Sequence, residues 1–225
     1  MKYIKRREEN IFAMKGESMM DTINRVLDVL RLAERLKFEL RHSWLSNGRR
    51  ESVAEHTWQM ALMVILMQRH LERSVDIERT LKMVIIHDLV EAEAGDVPFF
   101  ETGERQTMKA ANERAAIEKI RGLLDWDTGQ EVYELWYEFE EAETLEARFA
   151  KAVDNLEVQI QHNRAAFDTW EEIEQDLVYT KMDKHCQHDA FLRAFCMAVK
   201  TEAEDKMRQA GVAVEAVRQR TGEIK

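Results

Sequence analysis

"SVAEHTWQMALMVILMQRHL", residues 52–71, settles what kind of fold the chain forms. Ser52 and Glu55 stand three apart at its head, the spacing of a capping box, in which each side chain accepts a hydrogen bond from the other residue's backbone N–H. Met60, Met63 and Met67 recur at spacings of three and four, so they share one helical face and read as core. The stretch predicts a helix from Ser52 to about Leu71. His56 lies just past the capping box, semi-buried among Trp58, Met60, Ala61, Leu62 and Met63.

Helical spacing continues in both directions. Upstream, Ile23, Val26, Val29, Ala33, Leu36 and Leu40 predict a helix over 21–40, its apolar face widened by Leu27 and Leu30. "RHSWLSNGRRE" (41–51) then breaks the pattern with Ser, Asn and Gly. Downstream, Asp76 is placed to cap a helix running through His87 and ending near Gly95. An amphipathic helix over 104–124, a break at "DWDTGQ" (125–130) and a short helix over 130–140 follow. Thr144 then caps a helix through Asp154 to about His162. Residues 166–180 read as helical, 189–210 as an apolar C-terminal helix packing Phe191, Phe195, Met197 and Val199, and 212–225 as a short helix with a frayed tail. With 8 Gly and 1 Pro in 225 residues, the chain has few of the turns an all-β fold needs. The expectation is an all-α bundle of about seven or eight helices. A flexible leader occupies 1–19, one domain covers 20–210, and a tail covers 211–225.

Composition narrows the function. The net charge is −10, with acidic residues spread along the chain, whereas a nucleic-acid partner needs a basic stripe. No apolar run reaches the ~18 residues of a membrane helix. Two cysteines, Cys186 and Cys196, make neither a zinc motif nor a disulfide framework. A cytoplasmic protein is the simplest expectation, with no nucleic-acid or membrane partner.

The residues able to do chemistry centre on "MVIIHDLVEAEAGDVP" (83–98). His87 and Glu91 are four apart and share a helical face, and near a helix end His87 and Asp88 can both turn to one ion. A bare His-Asp pair is a weak motif, for which a buried His with Asp on the rim is the ordinary alternative. Its company adds weight. His56 sits in an apolar helix, and Asp154 sits on the Ala150, Val158, Gln161 stripe of "RFAKAVDNLEVQIQ", where an unpaired carboxylate is costly. Two imidazoles and two carboxylates form a mixed N/O set suited to Mn, Co, Ni, Fe or Zn as divalent ions.

The order His56, His87-Asp88, Asp154 resembles the pattern of the HD-domain metal-dependent phosphohydrolase superfamily. "RHSWL…ESVAEHTWQMAL", "HDLVEAEAGDVP" and "YELWYEFEEAETLEARFAKAVDNLE" together resemble its 5′-deoxynucleotidase branch, over core motifs spanning 41–161. The resemblance implies an HD helical bundle and one divalent ion (Co, Mn, Ni, Fe, Zn or Mg) held by His56, His87, Asp88 and Asp154. It implies Glu91 as the catalytic acidic residue, Asp96 on the sugar hydroxyl, Arg41 on phosphate and Trp44 beside the sugar. The implied activity is hydrolysis of deoxynucleoside 5′-monophosphates. The alternatives are a deoxynucleoside triphosphate or other nucleotide phosphohydrolase on the same site, and a non-catalytic nucleotide-sensing module. Members are often dimers, so a homodimer is an expectation, with the C-terminal helix as its face.

The remaining candidates read as structural. His42 and His70 lack clear partners. His185 and His188 lie in the polar "KMDKHCQHD" (181–189), read as a solvated loop, with a second metal alongside His162 as the alternative. Trp126, Trp136 and Trp170 read as packing residues, and Arg49 and Arg50 as surface groups or anion-focusing ones.

Overall fold

The computed structural model describes residues 18–223. The leader expected at 1–19 lies mostly outside them; Ser18 and Met19 already belong to a helix start. Ser18 and Asp21 form a capping box opening α1, Met19–Ala33. That helix is shorter than the one expected over 21–40. It passes into a 3-10 turn at Glu34–Lys37, and only Leu32 and Leu36 of the region are buried hydrophobics.

The expected break at 41–51 is a hairpin, an element the periodicity did not announce. Leu40–Trp44 (β1) pairs antiparallel with Arg50–Ser52 (β2), with an irregular register between them. Gly48 closes the turn at φ 82°, a left-handed conformation that glycine adopts without strain.

Ser52 then caps α2, Val53–Met67, with the reciprocal bonds that the opening stretch predicts: Glu55 N–H donates to Ser52 Oγ at 3.3 Å and Ser52 N–H to Glu55 Oε2 at 2.9 Å. Replacing Ser52 by Ala is expected to lower the unfolding free energy by about 1 kcal/mol, measured by urea denaturation. Asp76 caps α3, Ile77–Ile86. The helix expected to continue to Gly95 is interrupted: residues 87–90 form a turn, and Glu91–Ala94 makes a one-turn α4 closed by Gly95 at φ 77°. The interruption places His87 and Asp88 at a helix end, where adjacent side chains can converge.

The rest of the bundle is α5 (Glu104–Leu123), α6 (Trp126–Glu141), α7 (Leu145–Arg164), α8 (Glu172–Thr180), α9 (Met182–Cys186), α10 (Ala190–Gln209) and α11 (Val214–Arg220). The all-α reading stands, with the small hairpin added. The main core packs Met60, Val64, Met83, Phe139, Phe149 and Leu156 around α7, and a second cluster joins Leu36, Val53, Val90, Ile117, Ile120 and Trp136. Three expectations need correction. "KMDKHCQHD" carries α9, because Met182 and Cys186 bury one side of it. Trp126 is 76% exposed instead of packed, since it opens α6 at the surface. In the C-terminal helix Val199 is buried and Phe191 and Phe195 pack against the core as expected, but Met197 is exposed, and Leu192, Ala203 and Met207 complete the buried face. Among the described residues, no helix is long and apolar enough to cross a membrane.

Candidate metal centre

A cavity of about 280 Å³ is lined by Arg41, Asp88, Glu91, Asp96 and Asp154, and His56 and His87 are buried against its Asp88 and Asp154 carboxylates. α2 brings His56 from its first turn, and the turn after α3 brings His87 and Asp88. α4 starts with Glu91. α7 carries Asp154 among Phe149, Ala150, Val153 and Leu156, whose burial fixes where the carboxylate points. The His56, His87 and Asp154 ligand atoms lie within 4.8 Å of one another. His56 Nε2 is 3.3 Å from Asp154 Oδ1 and 3.8 Å from Asp88 Oδ2, and His87 Nε2 is 3.1 Å from Asp88 Oδ2.

The outer nitrogens of both rings are occupied. His87 Nδ1 is 2.6 Å from the Val84 carbonyl, which can only accept, so Nδ1 carries the proton. His56 Nδ1 meets the carboxylate of Glu157, itself fully buried one turn beyond Asp154. Both Nε2 atoms are thereby turned inward, and both are buried without a hydrogen-bond partner. A buried ring nitrogen whose nearest partners are poorly aligned costs roughly 1–3 kcal/mol. A divalent cation between two such nitrogens and two carboxylates removes that cost, so the donor set fits a metal.

The electrostatics agree with a strongly charged centre. Burial opposes ionisation of Asp154, but the close approach of His56 Nε2 at 3.3 Å and the charges of His56 and His87 outweigh it and hold the carboxyl below its ordinary range. Asp88 is likewise held low against burial by His87, Arg41 and His56. Burial and the charges of Asp88 and Asp96 push Glu91 well above the usual carboxylate value. Burial and Arg41 lower His56, yet Glu157 and Asp154 raise it to about 10, so a bound cation must displace a proton.

Arg41 reaches the cavity from β1, donating to Asp88 Oδ2 at 3.2 Å with Glu51 Oε2 at 3.8 Å from its Nε. Asp96 lines the cavity, held by its N–H to Glu39 Oε1 at 3.0 Å. Trp44 does not line it. Trp44 stands at the end of β1, where its carbonyl accepts from Gln161 at 2.6 Å. Arg49 pairs with Glu55, and Arg50 donates to the carbonyls of Leu40 and Arg41, so neither is free to focus an anion.

Sequence reasoning missed several groups on or behind this wall. Glu157 had a signal: it lies three residues after Asp154 in a helix with apolar neighbours. Glu51, Lys109, Glu174 and Lys181 had none, because nothing local marks them. His42 is no isolated histidine; its Nε2 is 3.5 Å from Glu174 Oε1 and its ring edges Phe100 at 5.0 Å. His162 joins the same wall, 3.4 Å from Ser43 Oγ. His185 and His188 lie on a neighbouring groove without His162, and the metal-compatible groups among the described residues do not include them. His70 stacks on Phe191 at 5.1 Å, and Trp170 donates to the His162 carbonyl at 3.0 Å.

A helical bundle that gathers two imidazoles and two carboxylates beside an arginine offers a donor set of the kind that can hold a cation. The chain belongs to the HD domain family, whose model matches residues 33–193. It is 33% identical over 141 residues to a 5′-deoxynucleotidase of Danio rerio, covering 62% of this chain and 68% of that one. It is 31% identical over 138 residues to the human 5′-deoxynucleotidase, covering 60% and 66%. Among solved structures, a predicted metal-dependent phosphohydrolase of Magnetospirillum magnetotacticum superposes with a TM-score of 0.73 at 28% identity, covering 86% of this chain and 96% of that one. A conserved hypothetical protein of Pyrococcus furiosus superposes with a TM-score of 0.57 at 28% identity, covering 78% and 99%.

Proposed function

We propose that the chain is a metal-dependent 5′-deoxynucleotidase that hydrolyses deoxynucleoside 5′-monophosphates to deoxynucleosides and phosphate. The observation that carries the reading is the convergence of the His56 and His87 Nε2 atoms on the carboxylates of Asp88 and Asp154, which line one cavity with Arg41 and Glu91. The names of the relatives support the choice of substrate.

In this reading His56, His87, Asp88 and Asp154 hold one divalent ion. When bound, it supplies Lewis acidity, which acidifies water and offsets charge on the phosphoryl oxygens. Glu157 and the Val84 carbonyl hold the two imidazoles in the tautomer that leaves Nε2 free. Arg41 offers a planar fork to phosphoryl oxygens and stays charged beside Asp88. Glu91, buried and favouring its protonated form, is placed to give a proton to the 5′-oxygen as the P–O bond breaks. Asp96, beyond the Gly95 turn, accepts from a sugar hydroxyl. Trp44 stands at the end of β1, outside the residues that line the cavity.

The test is phosphate release from dAMP, dCMP, dGMP, dTMP and dUMP, with AMP as control, in the presence of Mn²⁺, Co²⁺, Ni²⁺, Zn²⁺ or Mg²⁺. Release from the deoxynucleotides with at least one ion is the expected result. No release with any ion overturns the reading, and tripolyphosphate released from deoxynucleoside triphosphates would move the substrate class instead.

A further inference from the structure

Beside the cavity lies a second, larger groove of about 680 Å³, formed where the α6–α7 corner faces α9. Asp154, Asn155 and Lys181 line both, so the two spaces meet at the candidate metal centre. In a chain of net charge −10, this groove gathers Arg148, Lys151, Lys181, Lys184, His185 and His188.

Most of that charge is uncommitted. Lys151 is neutralised by Glu140 at 2.7 Å. Among the described residues, Arg148, Lys181 and Lys184 form no ion pair. Arg148 donates only to the Ala142 carbonyl, at 3.3 Å. Lys181 is partly buried, and its ammonium lies 4.5 Å from the centre of the Phe99 ring. Beyond the Phe99 face, the opposite charge acting on Lys181 comes from Asp154 on the shared wall, with which it forms no ion pair, so the partly buried ammonium keeps hydrogen-bonding capacity for an anion. Behind it, Asn155 keeps a buried carbonyl oxygen with no donor. Burial and the Lys184 charge hold His185 below its ordinary value, so it presents a neutral ring with one N–H donor. Glu141, exposed at the rim, is the remaining carboxylate of the groove.

We propose that this groove is a second anion site, taking a phosphate-bearing anion on Arg148, Lys181 and Lys184 next to the catalytic cavity. Two sources share that chemistry: orthophosphate leaving after hydrolysis, and the outer phosphates of a nucleoside triphosphate acting as an inhibitor. The choice of sources rests on the proposed phosphohydrolase function; the site itself rests on the groove.

Isothermal calorimetry on the metal-loaded full chain tests it, with orthophosphate and a non-hydrolysable deoxyadenosine triphosphate analogue as probes. The variant is Arg148→Ala/Lys184→Ala, two exposed positions outside the catalytic cavity. Loss of these charge-assisted contacts is expected to weaken binding of a probe about tenfold, leaving KM for a deoxynucleoside monophosphate within about twofold. Weakened orthophosphate binding marks a product-release site, and weakened binding of the analogue alone marks an inhibitor site. Unchanged affinity for both probes overturns the proposal, as does a wild-type chain that binds neither. Because calorimetry needs no turnover, a chain inactive on every monophosphate would defeat the proposed function and leave this test readable.

Discussion

Glu91→Gln is expected to lower kcat on deoxynucleoside monophosphates by about 10²–10⁴-fold while the protein keeps its full complement of metal. Glu91 opens α4, is 5% exposed, and has a buried Oε2 without a partner. Its carboxyl is pushed up by burial and by the charges of Asp88 and Asp96, the environment of a group that holds a proton for delivery. Gln preserves the shape and most of the packing but has no proton to exchange. Metal analysis by mass spectrometry separates this outcome from a collapsed site, because Glu91 is not among the four proposed ligands. A variant that binds metal and turns over at the parental rate would remove Glu91 from the mechanism.

His56→Ala is expected to do two kinds of damage. It removes one of two imidazole ligands, so bound metal should fall to a small fraction under conditions that saturate the parent. It also strands Glu157, which is fully buried and whose partner is His56 Nδ1. Leaving a buried charge uncompensated costs about 3–5 kcal/mol, equivalent to roughly 10 °C in Tm for a domain of this size. His87→Ala should lose metal with a smaller stability loss, because its outer nitrogen meets a neutral carbonyl and strands no charge. The double variant His56→Ala/Glu157→Ala should recover part of the lost stability but none of the metal. If His56→Ala and His87→Ala destabilise equally, the Glu157 argument is wrong.

Much of this was legible in the chain. Capping boxes and residues at spacings of three and four gave the helices, since these signals act over one or two turns. The same logic misplaced boundaries where packing overrode it. The apolar face of residues 21–40 suggested one long helix, yet the chain leaves it at Ala33 so that Leu40–Trp44 can pair with Arg50–Ser52. That hairpin carries Arg41 to Asp88, and no local periodicity encodes it. Trp44, grouped with Arg41 by the resemblance, stands at the end of the same strand and does not line the cavity.

The amino-acid sequence by itself determined the helical class, the acidic surface and the set of His56, His87, Asp88, Asp154 and Glu91 as candidates for one chemistry. Tertiary structure alone decided that His56 is held by Glu157, 101 residues away, that both Nε2 atoms converge on the carboxylates of Asp88 and Asp154, and that Lys181 stands between two cavities. The division is physical. Capping and periodicity are local energies that a short window contains, whereas the cost of a buried nitrogen or ammonium depends on which distant groups the packed core brings beside it.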